Sequence, residues 1–342
     1  MRKGGLHATQ QGVALLAVLW LTAALSAMAL TTSYLVRTEV EAATNRIEGE
    51  QMRFLARGGI EAAVDAILRS TVLRRPDEGM PLFVPGQRWL AQEFPGGRCA
   101  VEVMPENAKL NVNQAPPEQL AALFLVLGVP AAESAELALA IADWRSPRAS
   151  DAGSVFDAYY AALPQPYRAR HAPFTQLEEL LSVRGMSREL FFGRIERNAE
   201  DEWTRKPPLV DLLTTAPVSA GGVNVNYAAR EVLEVLPGWN PALAAQVVEL
   251  RERTPFEAPV ALQGVVQGSG QAAVSAAQTP FYTLTATCIH PDSGTRRSVR
   301  AMVGITATDA MGHRVLGWWN DWPFAKEPPE AVTGESGRSD RG

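Results

Sequence analysis

The longest apolar run of the chain lies near its N-terminus, between residues 13 and 35. No charged residue interrupts it. A helix rises 1.5 Å per residue, so the run spans roughly 35 Å, which is enough to cross a bilayer. A short segment containing Arg2 and Lys3 precedes it, and positive charge there favours a cytoplasmic N-terminus. The pattern predicts a single membrane helix over residues 13–35, with the bulk of the chain on the other side.

Beyond residue 35 the helical pattern continues in an amphipathic form. From Val40 to Leu68 apolar residues recur mostly three, four or seven positions apart, with charged residues between them. This predicts an amphipathic helix over residues 36–70 that extends the membrane helix into one rod of about 55 residues, roughly 80 Å long. Gly58 and Gly59 lie inside the pattern, and they predict either a kink or a close packing contact.

Three interpretations of the N-terminus are open from these residues. It is a plain signal anchor, a secretory signal cleaved at Ala27-Met28-Ala29, or a short leader that ends at Gly12 and leaves the apolar helix in place. The amphipathic continuation favours the third interpretation, because a cleaved signal helix is discarded and has no reason to merge into a longer rod.

Strand-like segments lie on both sides of a long helical region. Residues 98–103 precede it, and residues 280–289, 297–306 and 313–318 follow it. We therefore predict an α+β fold: the long N-terminal helix packs on a small antiparallel sheet made of residues 71–105 and 278–325. A large all-α domain, residues 106–277, is inserted into that sheet. Residues 326–342 are polar and rich in Pro, Gly and Ser, which predicts a disordered tail.

Composition narrows the function further. Apolar residues make up 46% of the 342-residue chain, which indicates a folded ectodomain, and the net charge of −5 argues against an electrostatic grip on nucleic acid. The two cysteines, Cys99 and Cys288, lie in predicted strands beyond the membrane helix, in an oxidising space if the orientation is right. They form either a disulfide, which would contribute roughly 5 kcal/mol in the chain-entropy model, or two separate buried thiols.

The helical region contains an internal repeat. Residues 110–113, Leu-Asn-Val-Asn, recur as Val-Asn-Val-Asn at residues 223–226. In each copy an Asn is predicted to cap an amphipathic helix, which ends at Gly128 or at Gly238 and is followed by a second helix. A third helix-turn-helix is predicted over residues 174–190, around Gly185.

Paired helices of this kind resemble the helix-hairpin-helix module of DNA-uptake and repair proteins, which makes a membrane-anchored periplasmic DNA-binding protein the alternative function. Such modules bind phosphate through backbone N–H groups at a Gly-hydrophobe-Gly turn. None of the three turns has the second glycine, and Pro130 has no N–H. A packing or protein-contact role is therefore preferred.

No catalytic site is predicted. The four histidines are scattered, and no Gly-x-Ser-x-Gly elbow, Cys-x-x-Cys pair or phosphate loop is present. The aromatic residues at 317–324 are predicted to cover the edge of the sheet, or alternatively to contact a partner subunit.

The N-terminal layout resembles type IV pilin-like proteins. The resemblance implies that a prepilin peptidase cleaves after Gly12 and methylates the new N-terminus at Val13. Most members carry a glutamate at the fifth mature position, which pairs with a neighbouring subunit's amine, whereas this chain has Ala17. Minor pseudopilin K of type II secretion systems characteristically lacks that glutamate. A tip subunit has no neighbour above it whose amine would need a carboxylate.

Further motifs occur in the order seen in that family, and the resemblance covers about residues 10–320. They are Lys109–Asn113, Asp143–Arg145, Tyr159–Tyr160, Pro166–Arg168, Ala172–Phe174, Leu177–Leu180, Arg184–Met186 and Val315–Trp318. The resemblance implies a non-enzymatic subunit that caps the tip of the type II secretion pseudopilus and helps initiate its assembly for protein export. It implies the other minor pseudopilins, the prepilin peptidase and the inner membrane as partners, with no nucleic acid. The protein would cross the inner membrane once, with its C-terminal domain in the periplasm.

The resemblance also raises calcium as a cofactor, because family members can bind the ion in the loop after the Asp-Trp pair. The candidate ligands here are Asp143, Asp151 and Asp157. Calcium takes six to eight oxygen ligands, several of them carboxylates. Three carboxylates and two arginines in the same stretch are a poor match, so no cofactor is firmly predicted.

Overall fold

The computed structural model describes residues 7–73, 81–147, 153–197, 203–205, 207–218, 222–257, 265–266, 269–306, 308–323, 325–326 and 328–329. The first six leader residues and Asp151 lie outside these ranges. So does the predicted tail, apart from Lys326, Pro328 and Pro329.

The helices and strands of the described residues follow in chain order. The α-helices are α1 (His7–Thr71), α2 (Pro117–Val126), α3 (Ala131–Arg145), α4 (Val155–Ala161), α5 (Arg188–Phe192), α6 (Leu209–Leu212), α7 (Arg230–Glu234), α8 (Pro241–Arg253) and α9 (Ser269–Ala272). The strands are β1 (Trp89–Phe94), β2 (Gly97–Pro105), β3 (Leu110–Asn111), β4 (Ile195–Arg197), β5 (Trp203–Arg205), β6 (Leu213–Thr214), β7 (Val223–Asn224), β8 (Val274–Ser275), β9 (Phe281–Ile289), β10 (Arg296–Ile305) and β11 (His313–Trp319). Two 3₁₀ helices cover Glu106–Ala108 and Leu177–Ser182.

Helix α1 is continuous over 65 residues, so the membrane and amphipathic segments form one rod as predicted. The helix does not break at Gly58 or Gly59. Gly59 lies against the sheet instead, where an added Cβ atom would come within 3.4 Å of Val101 and Ala286 side chains. The glycine pair therefore marks a close helix–sheet contact, the second of the two predicted alternatives.

The main sheet has five antiparallel strands in the order β1-β2-β9-β10-β11. Strands β9, β10 and β11 lie within one or two residues of their predicted positions. Strand β1, which forms a hairpin with β2, was not predicted. The segment between β2 and β9, which we call the inserted segment, therefore begins and ends on two neighbouring strands of the sheet.

The hydrophobic core between α1 and the sheet follows the two periodicities of helix and strand. Alternate residues of the strands point to the same face, and Val101, Leu284, Ala286, Val299 and Ala301 share the face that packs on α1. The buried side of α1 that covers them comprises Met52, Ala56, Ile60, Ala63, Val64 and Ile67. This packing fixes the C-terminal half of the rod to the sheet.

Most of the regular secondary structure in the inserted segment is helical, but the segment also contains short strand pairs, so the all-α prediction for residues 106–277 is corrected. Strand β3 pairs with β6, and β7 pairs with β8, both in parallel, and β4 pairs with β5 in antiparallel. Helices α2 and α3 pack on each other, as do α7 and α8.

Candidate interaction surfaces and buried clusters

Helix α1 carries an exposed apolar stripe beyond the predicted membrane segment. Val40, Ile47 and Phe54 are 59%, 60% and 74% exposed. They are seven residues apart, so they lie on one side of the helix, as in a helix-pairing seam. A row of exposed apolar groups on one side of a helix is a candidate surface for contact with another helix. We call these three residues the stem stripe.

The N-terminal half of α1 is long and apolar enough to cross a membrane, and none of its most apolar window is buried within the chain. Gly12 and Val13 lie within the continuous helix, and Ala17 is exposed on its surface. The first carboxylate of the chain is Glu39. Cleavage after Gly12 and methylation of Val13 stay predictions.

Cys99 and Cys288 face each other across β2 and β9 and are joined by a disulfide. Both are buried against α1, and the Cβ atom of Cys99 lies 3.5 Å from the position that a Gly59 side chain would occupy. The bridge therefore ties together the two strands from which the inserted segment begins and ends.

The face of the sheet away from α1 carries buried charges. Arg300 donates to Asp211 at 2.7 Å and to Thr285 at 3.1 Å, and its guanidinium stacks 3.9 Å above the Trp322 ring. Burial alone would raise the pKa of Asp211, but the charges of Arg300 and Lys326 outweigh this effect and hold it below its ordinary value. This ion pair joins the sheet to the inserted segment.

Two neighbouring carboxylates extend this network. Glu102 accepts from Arg88 at 2.7 Å and from Lys326 at 3.3 Å. Glu106 is fully buried and accepts from Lys109 at 2.6 Å and from the Thr283 hydroxyl. This network was not predicted from the sequence. Its only signals there were an arginine in the apolar strand β10 and a lysine in the repeat.

The predicted N-cap role of the repeat asparagines is wrong. Helix α2 follows Pro116 and helix α7 follows Ala229, and neither of these residues makes a side-chain cap. The side chain of Asn113 instead forms a reciprocal pair with the backbone of Phe174, with bonds of 2.7 and 2.9 Å. Asn226 pairs with Phe256 in the same way, at 2.8 Å for both bonds. An Asn amide can replace a peptide partner in this way because it has both a donor and an acceptor.

The two copies of the repeat also make equivalent polar contacts elsewhere. Asn111 donates to the carbonyl of Ala216 and Asn224 to that of Ala277. Arg145 at the end of α3 donates to the carbonyls of Val112 and Ala115, and Arg251 in α8 donates to those of Val225 and Ala228. Burial lowers the pKa of Arg251 to about 10. In each copy the arginine ties the second helix to the Asn-containing segment of that same copy, which indicates a structural role for the repeat.

The hairpin turns do not form an anion site in the described residues. The first arm of the third hairpin is a 3₁₀ helix rather than an α-helix. A cleft of about 230 Å³ lies between the turns at Gly128 and Gly185, and its charged lining residues are Glu133, Glu189 and Arg194, so carboxylates outnumber cations there. A phosphate would meet two carboxylates there, and Pro130 offers no N–H.

The described calcium candidates do not fit the ion. Both carboxylate oxygens of Asp157 lie 3.0–3.1 Å from the Nε2 atom of His171, and the Ser154 hydroxyl donates to Asp143. Among the residues that the structure describes, no group of three or more His, Cys, Asp or Glu could hold a metal. Asp151, the third candidate, lies outside them.

The imidazole ring of His171 lies beside the carboxylate of Asp157. Its Nδ1 atom lies 3.2 Å from the carbonyl oxygen of Ser146, so both ring nitrogens face acceptors. Burial lowers the pKa of His171, but the hydrogen bond to Asp157 and its charge outweigh burial and raise it above the ordinary value. Its φ of 49° is left-handed, which is uncommon for a residue other than glycine.

The tryptophans after β10 pack on both sides of the sheet edge. Trp318 lies on the α1 side, 5.5 Å from the Arg57 guanidinium. Trp319 lies on the other side and donates from its indole to Glu178 at 3.0 Å. The indoles therefore cover the two faces of the sheet at β11, and the backbone edge of this strand is not covered by them.

Comparison with known proteins shows which family part of this chain resembles. Residues 100–192, from β2 to α5, match the family described as type II secretion system (T2SS), protein K. The predicted resemblance to protein K is confirmed. The match covers the first half of the inserted segment and identifies that region as similar to a component of type II secretion systems.

A solved structure supports the fold over most of the chain. The chain is similar to a chain of the GspK-GspI-GspJ complex from the enterotoxigenic Escherichia coli type 2 secretion system, at 18% identity and a TM-score of 0.53. The match covers 80% of this chain and 97% of that one. At this identity the likeness shows the α+β pilin-like fold. No curated protein matches the chain in sequence.

Proposed function

We propose that this chain caps the tip of the pseudopilus and helps to initiate its assembly. A prepilin peptidase would first cleave after Gly12 and methylate Val13. The mature protein would cross the inner membrane once, with residues 36 onward in the periplasm, and would later be lifted out with the growing pseudopilus. The observation that carries the proposal is that the apolar half of α1 has no carboxylate, at Ala17 or elsewhere before Glu39.

The position at the tip follows from electrostatics and shape. An internal subunit needs a membrane carboxylate to neutralise the buried amine of a neighbour, because an unpaired charge in the bilayer is costly. A tip subunit has no such neighbour. The inserted segment, anchored to the sheet by the Asp211–Arg300 pair, would block the addition of a further subunit above it.

The stem stripe is the surface that we assign to partner subunits. Val40, Ile47 and Phe54 would pack against the stem helices of other minor pseudopilins, since a solved complex contains GspK with GspI and GspJ. The alternative of DNA binding is not supported, because the hairpin cleft is lined by Glu133 and Glu189.

Labelling of sheared pseudopili tests the position. An antibody against the inserted segment should mark one end of each fibre when it is viewed by electron microscopy. Label distributed along the fibre would contradict tip capping.

Co-purification tests the stripe. In full-length protein extracted from membranes, Phe54→Ser should reduce recovery of the other minor pseudopilins by about tenfold, since a large apolar contact is lost at a helix interface. Phe54→Leu is the matched control and should retain most of the recovery. Equal recovery with both variants would rule out the stem stripe as the contact.

A further inference from the structure

A cleft of about 370 Å³ lies where edge strand β11 meets the inserted segment. Its apolar lining comes from the sheet, the inserted segment and the residues after β11: Leu177, Val210, Met302, Leu316, Trp319 and Trp322. No residue of α1 lines it, so the cleft is separate from the stem stripe.

The cleft is continuous with an open strand edge. Among the described strands β11 pairs only with β10, so its other side presents unpaired backbone N–H and C=O groups. Val315 and Leu316 of this strand are exposed. Residues 316–319 of the same strand also line the cleft. The opposite edge strand, β1, contributes no residue to it.

Gly317 shapes the side of the cleft that strand β11 forms. An added Cβ atom there would lie 2.6 Å from the Trp319 ring. The absence of a side chain lets the indole lie over the strand and form a wall of the cleft, where its N–H donates to Glu178.

Cations outnumber carboxylates in the lining and on the edge. Lys109 and Arg300 line the cleft, and Arg314 is exposed on β11, against the single lining carboxylate of Glu178. Glu106 and Asp211 pair with the two buried cations but do not line the cleft. The described bonds use two of the three Lys109 hydrogens and two of the five N–H groups of Arg300. The N–H groups that these bonds leave over, together with the exposed Arg314, can donate to a carboxylate of a partner segment.

We propose that β11 and this cleft bind an extended acidic segment of a partner protein. The segment would add a strand to the sheet edge, and its backbone would pair with that of β11. One of its apolar side chains, next to a carboxylate, would enter the cleft. Main-chain bonds supply affinity in this mode of recognition and the pocket supplies specificity. The volume is at the lower end of the range for ligand pockets, which suits a single bulky side chain.

Hydrogen exchange on the full-length protein in detergent micelles tests the proposal. The probe is the blocked hexapeptide Thr-Val-Glu-Phe-Thr-Val, and the readout is exchange of residues 313–319 measured by mass spectrometry. The probe should slow exchange in this strand. The same peptide with Lys in place of Glu should bind about tenfold more weakly at low salt. A version N-methylated at alternate peptide nitrogens should give no protection, because it cannot pair with the edge.

A matched pair of variants at the cleft rim checks the charge argument. Gln176 lines the cleft, is exposed, and lies at the N-cap of the 3₁₀ helix Leu177–Ser182, so circular dichroism of both variants checks that this helix is retained. Gln176→Glu should weaken binding of the acidic probe about threefold, and Gln176→Lys should strengthen it by a similar factor. Absence of protection, equal protection by the N-methylated probe, or equal affinity for the Glu and Lys peptides would each overturn the proposal.

Discussion

The two faces of the central sheet are buried by different chemistry. The face against α1 is apolar and includes the Cys99–Cys288 bridge and the close contact at Gly59. The opposite face carries threonines and the charged network around Arg300 and Glu102, and it is covered by the inserted segment and the residues after β11.

This difference separates two structural tasks. Apolar burial is non-directional and tolerates substitutions of similar volume, so it suits a rod that need only stay attached to the sheet. Buried ion pairs are costly unless each partner is in place, so they constrain geometry more than they add stability. We infer that the network sets the orientation of the inserted segment on the sheet.

The largest effect is expected on the apolar face. Replacement of both cysteines, Cys99→Ala with Cys288→Ala, should lower the free energy of unfolding by roughly 5 kcal/mol, because the bridge closes a loop of 189 residues. Urea unfolding of the full chain in micelles measures this. Reduction of the unmodified protein is the control and should give the same loss, whereas a change below about 1 kcal/mol would contradict the account.

The next effect is on the polar face. Arg300→Met leaves Asp211 buried without its main partner and should cost about 3–5 kcal/mol. Adding Asp211→Leu should recover most of that loss, since it removes the unpaired charge. The same unfolding assay measures both variants. If the double variant were no more stable than Arg300→Met alone, the ion pair would not be the source of the cost.

A smaller effect on the free energy of unfolding is expected when the two sides of α1 are compared by matched substitutions. Ile60→Val removes one buried methylene and should cost about 1 kcal/mol. Ile47→Val is the matched control on the exposed stem stripe and should change stability by less than about 0.5 kcal/mol. Equal costs at the two positions would show that the assignment of the buried side is wrong.

Of the two faces of the sheet, the polar one should be the more sensitive to acid. The pKa values of Glu102 and Asp211 lie below their ordinary values of 4.5 and 3.8 because the charges of Lys326 and Arg88, and of Arg300 and Lys326, outweigh burial. Their contribution to stability is therefore complete above those ordinary values and is lost as pH falls through the lower folded-state pKa values.

Unfolding curves at several pH values between about 6 and 2 test this expectation. The double variant Arg300→Met with Asp211→Leu should lose less stability in acid than the unmodified chain. Ile60→Val should lose as much as the unmodified chain, and a loss as small as that of the double variant would contradict the assignment.

Sequence alone predicted the elements that rest on local patterns. The rod of α1 and strands β9 to β11 follow from unbroken periodicity. Strand β1 was missed because Gln92 and Glu93 interrupt a short segment. The cysteine pairing could not be decided, because it depends on the register that places Cys99 opposite Cys288 across two distant strands.

The polar contacts were predictable only in part. Arg300 and Asp211 are 89 positions apart, and Lys109 and Thr283 are 174 apart, so nothing local connects them. The repeat was visible in sequence, but its asparagines pair with Phe174 and Phe256 rather than cap helices. An Asn before a helix satisfies both patterns, and only tertiary structure distinguishes them.

The mature N-terminus is the most direct test of the central claim that this chain is a processed pseudopilin. Intact-mass and peptide mass spectrometry of protein purified from membranes, with and without a prepilin peptidase, gives the answer. The account predicts a chain that begins at methylated Val13 only when the peptidase is present. A chain that begins at Leu30, or that retains Met1 with the peptidase present, would contradict it.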